Sequence, residues 1–260
     1  MKKFYTYILT FVSFIALALA NPIDDKASHF VINGAPDSSI KKDNQYLIKK
    51  SYAIHYRYDT KTAEYVVEKP TNEKILGGSK RKDDFRPDSE VPEKYQSQLS
   101  DYAGNPFDRG HLVPAGNCTQ NDEAMSESFF LTNMVPQVPN HNRGIWKQLE
   151  TKVRNWVVDD KKDLYVISGT IYNKEYKSIG AGKVGIPDYL WKIAIDAKSN
   201  KSIAFLFPNS PLPVEDLPKY IVSIEDIEQK TGIDFNPKLP KDKQKLLESA
   251  KGSIKDWPLD

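Results

Sequence analysis

The chain has a single cysteine, Cys118. No internal disulfide can form, no CxxC pair is present to build a cysteine-rich zinc site, and no cysteine stands behind the leader to take a lipid anchor. At 260 residues the chain is long enough to bury a core without such crosslinks. Histidine is scarce as well: His29, His55, His111 and His141 are the complete set. Net charge is formally only +2. A nucleic-acid partner would therefore be held by a local basic groove, since no global field draws it in. Internal repeats and low-complexity tracts are absent, and length alone does not choose between one large domain and two small ones. The remaining composition, 39% hydrophobic and 28% charged, is that of an ordinary soluble protein.

The first 20 residues depart from that average. Lys2 and Lys3 precede a mostly apolar run over residues 8–19, and Ala18-Leu19-Ala20 supplies a small-x-small cleavage pattern. The segment 1–20 is predicted to be a signal peptide removed after Ala20, leaving a mature chain that is secreted or periplasmic and has no membrane attachment. An uncleaved anchor is the alternative, although residues 4–20 lie at the low limit for crossing a bilayer. Loss of Lys2 and Lys3 from 37 basic residues leaves 35, matching the 35 acidic ones.

Residues 21–44 are polar, lack clear periodicity, and read as an N-terminal arm or loops. In residues 45–68, Tyr52, Ile54, Tyr56 and Tyr58 alternate with Ala53, His55 and Arg57. Glu64-Tyr65-Val66-Val67 answers across Asp59-Thr60-Lys61-Thr62, the pattern of an antiparallel hairpin. Residues 70–98 are charged and dotted with proline, and Lys80-Arg81-Lys82 within them reads as a solvated loop. Residues 163–172 predict a buried strand, and residues 189–196 and 202–207 a second hairpin. Ser223 with Asp226 three residues on predicts a capped helix ending near Gly232. Hairpins with helices between them predict a single α+β domain with a central, largely antiparallel sheet flanked by helices.

The chemistry-bearing stretch begins at Asp108-Arg109-Gly110-His111. In extended backbone Arg109 and His111 share a face, and Gly110 lets another chain or a substrate approach. A neighbouring arginine favours a neutral imidazole near pH 7, able to take a proton from water while the guanidinium holds phosphate oxygens. A structural Asp–Arg ion pair beside a packed histidine is the competing explanation. From Asn142 onward, Ile145, Leu149, Val153 and Trp156 form an apolar stripe at helical spacing, with Glu150 and Arg154 along its flank. Asn142 could be a helix N-cap, and Glu150 with Arg154 a surface pair four residues apart.

Together these elements resemble a known family. Asp108-Arg109-Gly110-His111-Leu112, Ala115-Gly116-Asn117, Thr132-Asn133-Met134-Val135-Pro136-Gln137 and Asn142-Arg143-Gly144-Ile145-Trp146, leading to Glu150 and Arg154, are similar to the DNA/RNA non-specific endonucleases. Those are sugar-non-specific nucleases with a ββα-metal active site. Phe85-Arg86-Pro87-Asp88 looks like the family's upstream element, and residues 224–232 like its carboxy-terminal segment. The resemblance implies an endonuclease domain over residues 45–260, acting on DNA and RNA with little sequence preference and leaving 5′-phosphorylated products. It implies His111 as general base, Asn142 as the direct protein ligand of Mg2+ (Mn2+ being the alternative), and Glu150 holding the ion through a water. Arg86, Arg109 and Arg154 would bind and neutralise the phosphoryl group, Asn133 would support the site, and Asp108 would stand behind it. A homodimer and a cognate inhibitor stay open. His141 matches no family role and is expected to be exposed; His55 is expected to pack in the first hairpin, and His29 falls in the polar arm.

Two rival readings remain. A thiol hydrolase could use Cys118 with His111, but no papain-like local signature supports it. A non-catalytic nucleic-acid-binding domain of the same fold is the other, against which stands the presence of His111, Asn142 and Glu150 together.

Overall fold

The alternating and continuous apolar runs fold into one seven-stranded antiparallel sheet. The chain is seen here in a computed structural model that describes residues 21–40 and 42–259, so the signal peptide expected over 1–20 lies outside the described residues. The strands are β1 (Asn44–Ile48), β2 (Tyr52–Arg57), β3 (Thr62–Glu68), β6 (Leu164–Ile171), β9 (Tyr189–Asp196), β10 (Lys201–Pro208) and β11 (Ile221–Val222). Between them lie two small pairs: β4 (Asp108–His111) with β5 (Met134–Gln137), and β7 (Ser178–Ile179) with β8 (Val184–Gly185). The expected hairpin over residues 45–68 is a three-strand meander, because β1 pairs with β2 before β2 pairs with β3. The second expected hairpin is β9 with β10, in register from Asp196↔Lys201 to Tyr189↔Pro208.

Both faces of the sheet are apolar, so each needs a cover. On one face Ile54, Tyr56, Val66, Val166, Ala194 and Phe205 pack against the helix Lys147–Val158 through Leu149, Val153 and Trp156. Burying each such large side chain contributes about 1.5–3 kcal/mol, which is why the stripe and not the helix's polar flank decides how it sits. Trp156 also donates to the Pro258 carbonyl at 2.9 Å and packs edge-on against Trp257, so the C-terminal tail closes this layer.

The opposite face, carrying Ala53, Tyr65, Val67, Ile193 and Ile195, is covered by both ends of the domain. The helix Ile224–Thr231 begins at the expected cap, with Ser223 and Asp226 exchanging side-chain-to-backbone bonds, and ends at Gly232 with φ +70°. Residues 21–44 correct the expectation of a polar arm. Asn21 caps a short helix Pro22–Lys26, and Ile23, Ala27 and Phe30 are buried in the core of this second layer. Their apolar residues are too few and too irregularly spaced to register as a periodic pattern, yet each meets the sheet. His55 packs as expected, buried between Tyr46 and Tyr65 with Nδ1 2.7 Å from Glu64. Among the described residues no helix is long and apolar enough to cross a membrane.

Candidate active site

Strands β4 and β5 and the helix Lys147–Val158 form a ββα unit on the helical face of the sheet. β4 pairs with β5 from Asp108↔Gln137 to His111↔Met134. Gly110 is required by this pairing: a Cβ there would stand 1.9 Å from Gln137 Oε1. The β4 end is pinned from several sides. Trp146 Nε1 donates to the His111 carbonyl at 3.0 Å, and Leu112 N donates to the Asn133 carbonyl at 3.1 Å. Asn133 itself is fully buried, accepting from Val113 N and donating to the carbonyls of Val113 and Ser128. It therefore shapes the turn after His111 and does not face a substrate.

An open cleft of about 570 Å3 runs between this strand end and the helix. His111, Arg109, Asn142, Glu150 and Arg154 all line it, so five of the residues singled out from sequence meet in one place. Pro114 to Gly116 form one wall, and Gly116 is matched to Arg154, whose Nη1 would lie 3.3 Å from a Cβ there.

The His111 ring stands edge-on to Phe129 and Phe85, with centroids 5.1 and 5.8 Å away. Its Nε2 is shut from solvent and has no hydrogen-bond partner among the described residues. Burial, followed by the charges of Arg81 and Arg109, pushes its pKa down to about 3, so the ring is neutral at physiological pH. Arg109 lies over the Phe85 ring at 4.1 Å, and Arg81 over Phe129 at 4.8 Å. Two aromatic rings thus carry the histidine and two arginines as one assembly.

Arg81 corrects the reading of Lys80-Arg81-Lys82 as merely a solvated loop, because it lines the cleft. Arg86 corrects the opposite way. It is absent from the cleft wall, and its Nη1 is spent on the Asp84 carbonyl, the Asp84 carboxylate and the Ser126 carbonyl, each at 3.0 Å. Its guanidinium covers Phe130 at 4.1 Å. Arg81, five positions before Arg86, lines the cleft where the arginine of the Phe-Arg-Pro-Asp element was expected.

Asn142 is not a helix cap. The backbone around it, His141–Trp146, is a wide turn broken at Gly144 (φ −102°, ψ −107°) before regular helix begins at Lys147. Its Nδ2 donates to Asp108 Oδ2 at 2.9 Å. Asp108 also takes a two-pronged bond from Arg143, at 2.8 Å from Nε and 2.6 Å from Nη2. The Asp–Arg ion pair weighed as the competing explanation exists, but with Arg143 and not with the neighbouring Arg109. Burial pushes the Asp108 carboxyl up, and the bonds from Arg143 and Asn142 outweigh it, holding the group below the ordinary carboxylate range.

His141 corrects the expectation of exposure. It is fully buried, with Nδ1 2.6 Å from Gln137 Nε2 and its ring packed near Trp146 and Phe207. Cys118 is buried as well, and burial raises its thiol pKa, which removes the thiolate that a cysteine hydrolase needs.

Beneath the cleft, Glu150 meets two buried charges, Lys192 and Glu68, that no local pattern announced. Burial pushes Glu150 up to about 7, against the lowering effect of Lys192 and Arg154. Lys192, on β9, is buried with Nζ 2.5 Å from Ser168 Oγ, 3.3 Å from the Leu112 carbonyl and 4.6 Å from the Trp146 ring centre. Glu68, on β3, is buried and accepts both oxygens' worth of bonds from Asn117 Nδ2, at 3.2 and 3.0 Å. The one available signal was a lysine inside the otherwise apolar run Leu190-Trp191-Lys192-Ile193. Arg154 donates to Thr151 Oγ1 at 3.1 Å, so Glu150 and Arg154 are not a surface pair but two separate groups facing the cleft.

The chain is similar to known nucleases. The chain is 33% identical over 229 residues to a nuclease of Nostoc sp., covering 84% of this chain and 82% of that one. It is 32% identical over 209 residues to human mitochondrial endonuclease G, covering 74% and 69% of the two chains. Nuclease EXOG, mitochondrial, of Xenopus laevis is 33% identical over 210 residues, and this chain spans only 58% of its length. The fold superposes on EndoG, solved in complex with EndoGI, with a TM-score of 0.70 at 26% identity, over 76% of this chain and 88% of that one. With the family model for DNA/RNA non-specific endonucleases matching residues 32–242, the chain belongs to that family.

Proposed function

We propose that the chain is an exported, divalent-cation-dependent endonuclease that hydrolyses DNA and RNA with little sequence preference and leaves 5′-phosphates. The observation that carries this reading is the meeting of a neutral His111, an amide held by Asp108, and the guanidinium groups of Arg81, Arg109 and Arg154 around one cleft. With Nε2 closed off, His111 Nδ1 would take the proton of a water attacking phosphorus. The three arginines would neutralise charge gathering on the phosphoryl oxygens, with Arg81 in the place first expected of Arg86. Breaking the bond to the 3′ oxygen would leave the phosphate on the 5′ end. Contacts directed at the backbone carry no base identity, which fits weak sequence preference.

The donor set fits a hard cation. Because the Asn142 nitrogen is committed to Asp108, its Oδ1 is the atom left for the cleft, and the Glu150 carboxyl stands on the same wall. Asn142 directly, and Glu150 through a water, would hold magnesium, with manganese as the alternative. Bound there, the ion would polarise a phosphate oxygen and stabilise the leaving oxygen.

Plasmid, linear DNA and RNA should be cut with added Mg2+, protected by EDTA, and cut again on metal add-back. His111→Ala should lower kcat by roughly 100- to 10,000-fold. Equal cleavage by that variant, or cleavage in EDTA, would remove the mechanism; binding without cleavage would favour a non-catalytic nucleic-acid-binding domain. Export rests on residues 1–20, and protein recovered outside the cytoplasm should begin at Asn21.

A further inference from the structure

A reacting phosphodiester carries one negative charge, and the cleft is built for more than one. Its walls bring Arg81, Arg109, Arg143, Lys147 and Arg154 together with Glu150 as the one carboxylate on the lining, while Asp83 pairs with Arg81 and Asp108 with Arg143 from behind, which still leaves an excess of cations. A divalent cation at Asn142 would widen that imbalance. Three of the cations surround the reacting centre: Arg81 and Arg109 ride on the rings that flank His111, and Arg154 lies against Gly116. Arg143 and Lys147 are left over, one on the wide turn that carries Asn142 and the other at the first residue of the helix that follows it.

These two are prepared for a ligand in different ways. The Arg143 side chain is 72% exposed yet fixed, because Asp108 takes its Nε and one Nη2 hydrogen. A guanidinium has five N–H groups, so three remain for an anion, on a fork whose orientation is already set. Lys147 is exposed, lines the cleft, and forms no ion pair among the described residues.

We propose that Arg143 and Lys147 form a second phosphate subsite, taking the phosphodiester next to the scissile one on the same strand. The enzyme then grips two successive phosphates, which favours internal bonds of a polynucleotide over the lone bond of a dinucleotide. This rests on the nuclease reading above and adds to it a preference in substrate length.

The test compares a single-stranded oligonucleotide of about 20 residues with a dinucleotide, which has one phosphodiester and nothing for the subsite. Lys147→Ala should raise KM on the oligonucleotide several-fold with kcat within about twofold. The dependence of log(kcat/KM) on log salt should flatten by about 0.7, the value of one phosphate contact on a single strand. The ratio of kcat/KM on the oligonucleotide to that on the dinucleotide should fall by a similar factor. Arg143→Lys keeps the charge but loses the fork, and should lower the same ratio. The thermal melt of Lys147→Ala should match the parent, as expected for an exposed position with no ion pair among the described residues; Arg143→Lys also loosens Asp108 and with it Asn142, an effect common to both substrates that the ratio cancels. Equal losses on the two substrates, or an unchanged salt slope, would overturn the subsite while leaving the nuclease reading intact. A parent protein that cuts neither substrate would bring down both.

Discussion

Asn142 Nδ2 donates to Asp108 Oδ2 across 2.9 Å, and this bond decides which end of the amide faces the cleft. An ionised carboxylate only accepts, so the NH2 must turn toward it and the oxygen must turn away. Asp108→Ala should free the amide to rotate and weaken apparent metal affinity by about 10- to 100-fold, the usual cost of losing a group that orients a ligand. Titrating Mg2+ into activity assays reads this directly; an unchanged half-saturation point would show that Asp108 does not orient the ligand.

Arg81 and Arg86 should separate cleanly. Arg81 lines the cleft and its only ion pair among the described residues is with exposed Asp83, so Arg81→Ala should cut kcat/KM with little change in melting temperature. Arg86→Ala removes bonds to Asp84 and Ser126, at a cost of about 1–3 kcal/mol, and should lower the melting temperature with kcat retained by the folded fraction. The reverse result would return Arg86 to the reaction.

The two buried histidines should each cost stability on mild acidification, opposed by the carboxyls of Glu150 and Glu228, both pushed up to about 7 by burial, which take up protons in the folded chain over the same range. Burial, with Arg81 and Arg109, lowers the His111 pKa to about 3, and burial lowers His141 to about 4. An unfolded histidine titrates near 6.5, so below that pH the unfolded chain takes up protons that the folded chain refuses. The contribution of both rings is complete above pH 6.5 and is lost as the pH drops toward the folded values. Melting temperatures of parent and His141→Asn from pH 7.5 to 4.5 isolate the histidine contribution as their difference, and the variant should lose less stability on acidification than the parent. Parallel curves would contradict it.

Gly110→Ala should damage both fold and activity. The added methyl meets Gln137 Oε1 at 1.9 Å and Gln137 Cβ at 2.7 Å, and Gln137 is fully buried against His141. Overpacking of this kind costs about 1–3 kcal/mol, and the strain falls on the strand that carries His111. A variant with the parent's melting temperature and turnover would show that β4 and β5 can part at no cost.

Much of this was legible in the chain. Alternation marked β2, β3, β9 and β10, the stripe from Ile145 to Trp156 marked the helical layer, and Ser223 with Asp226 marked a helix start. Residues 21–44 were not legible as part of the core, because Ile23, Ala27 and Phe30 find their partners on strands far along the chain. Arg86 sat in the more recognisable motif and Arg81 in a bland basic run. Only the fold turns one toward Ser126 and the other toward His111.

The sequence by itself determined the periodic elements and the set of reactive groups, since backbone preference and the spacing of apolar residues act over a few neighbours. The tertiary structure alone decided which arginines face the cleft, which atom of Asn142 is offered, that His141 is buried, and that Glu150 sits near pH 7 above Lys192. Those properties depend on desolvation and on charges brought in from β3 and β9, and neither exists until distant segments are packed together.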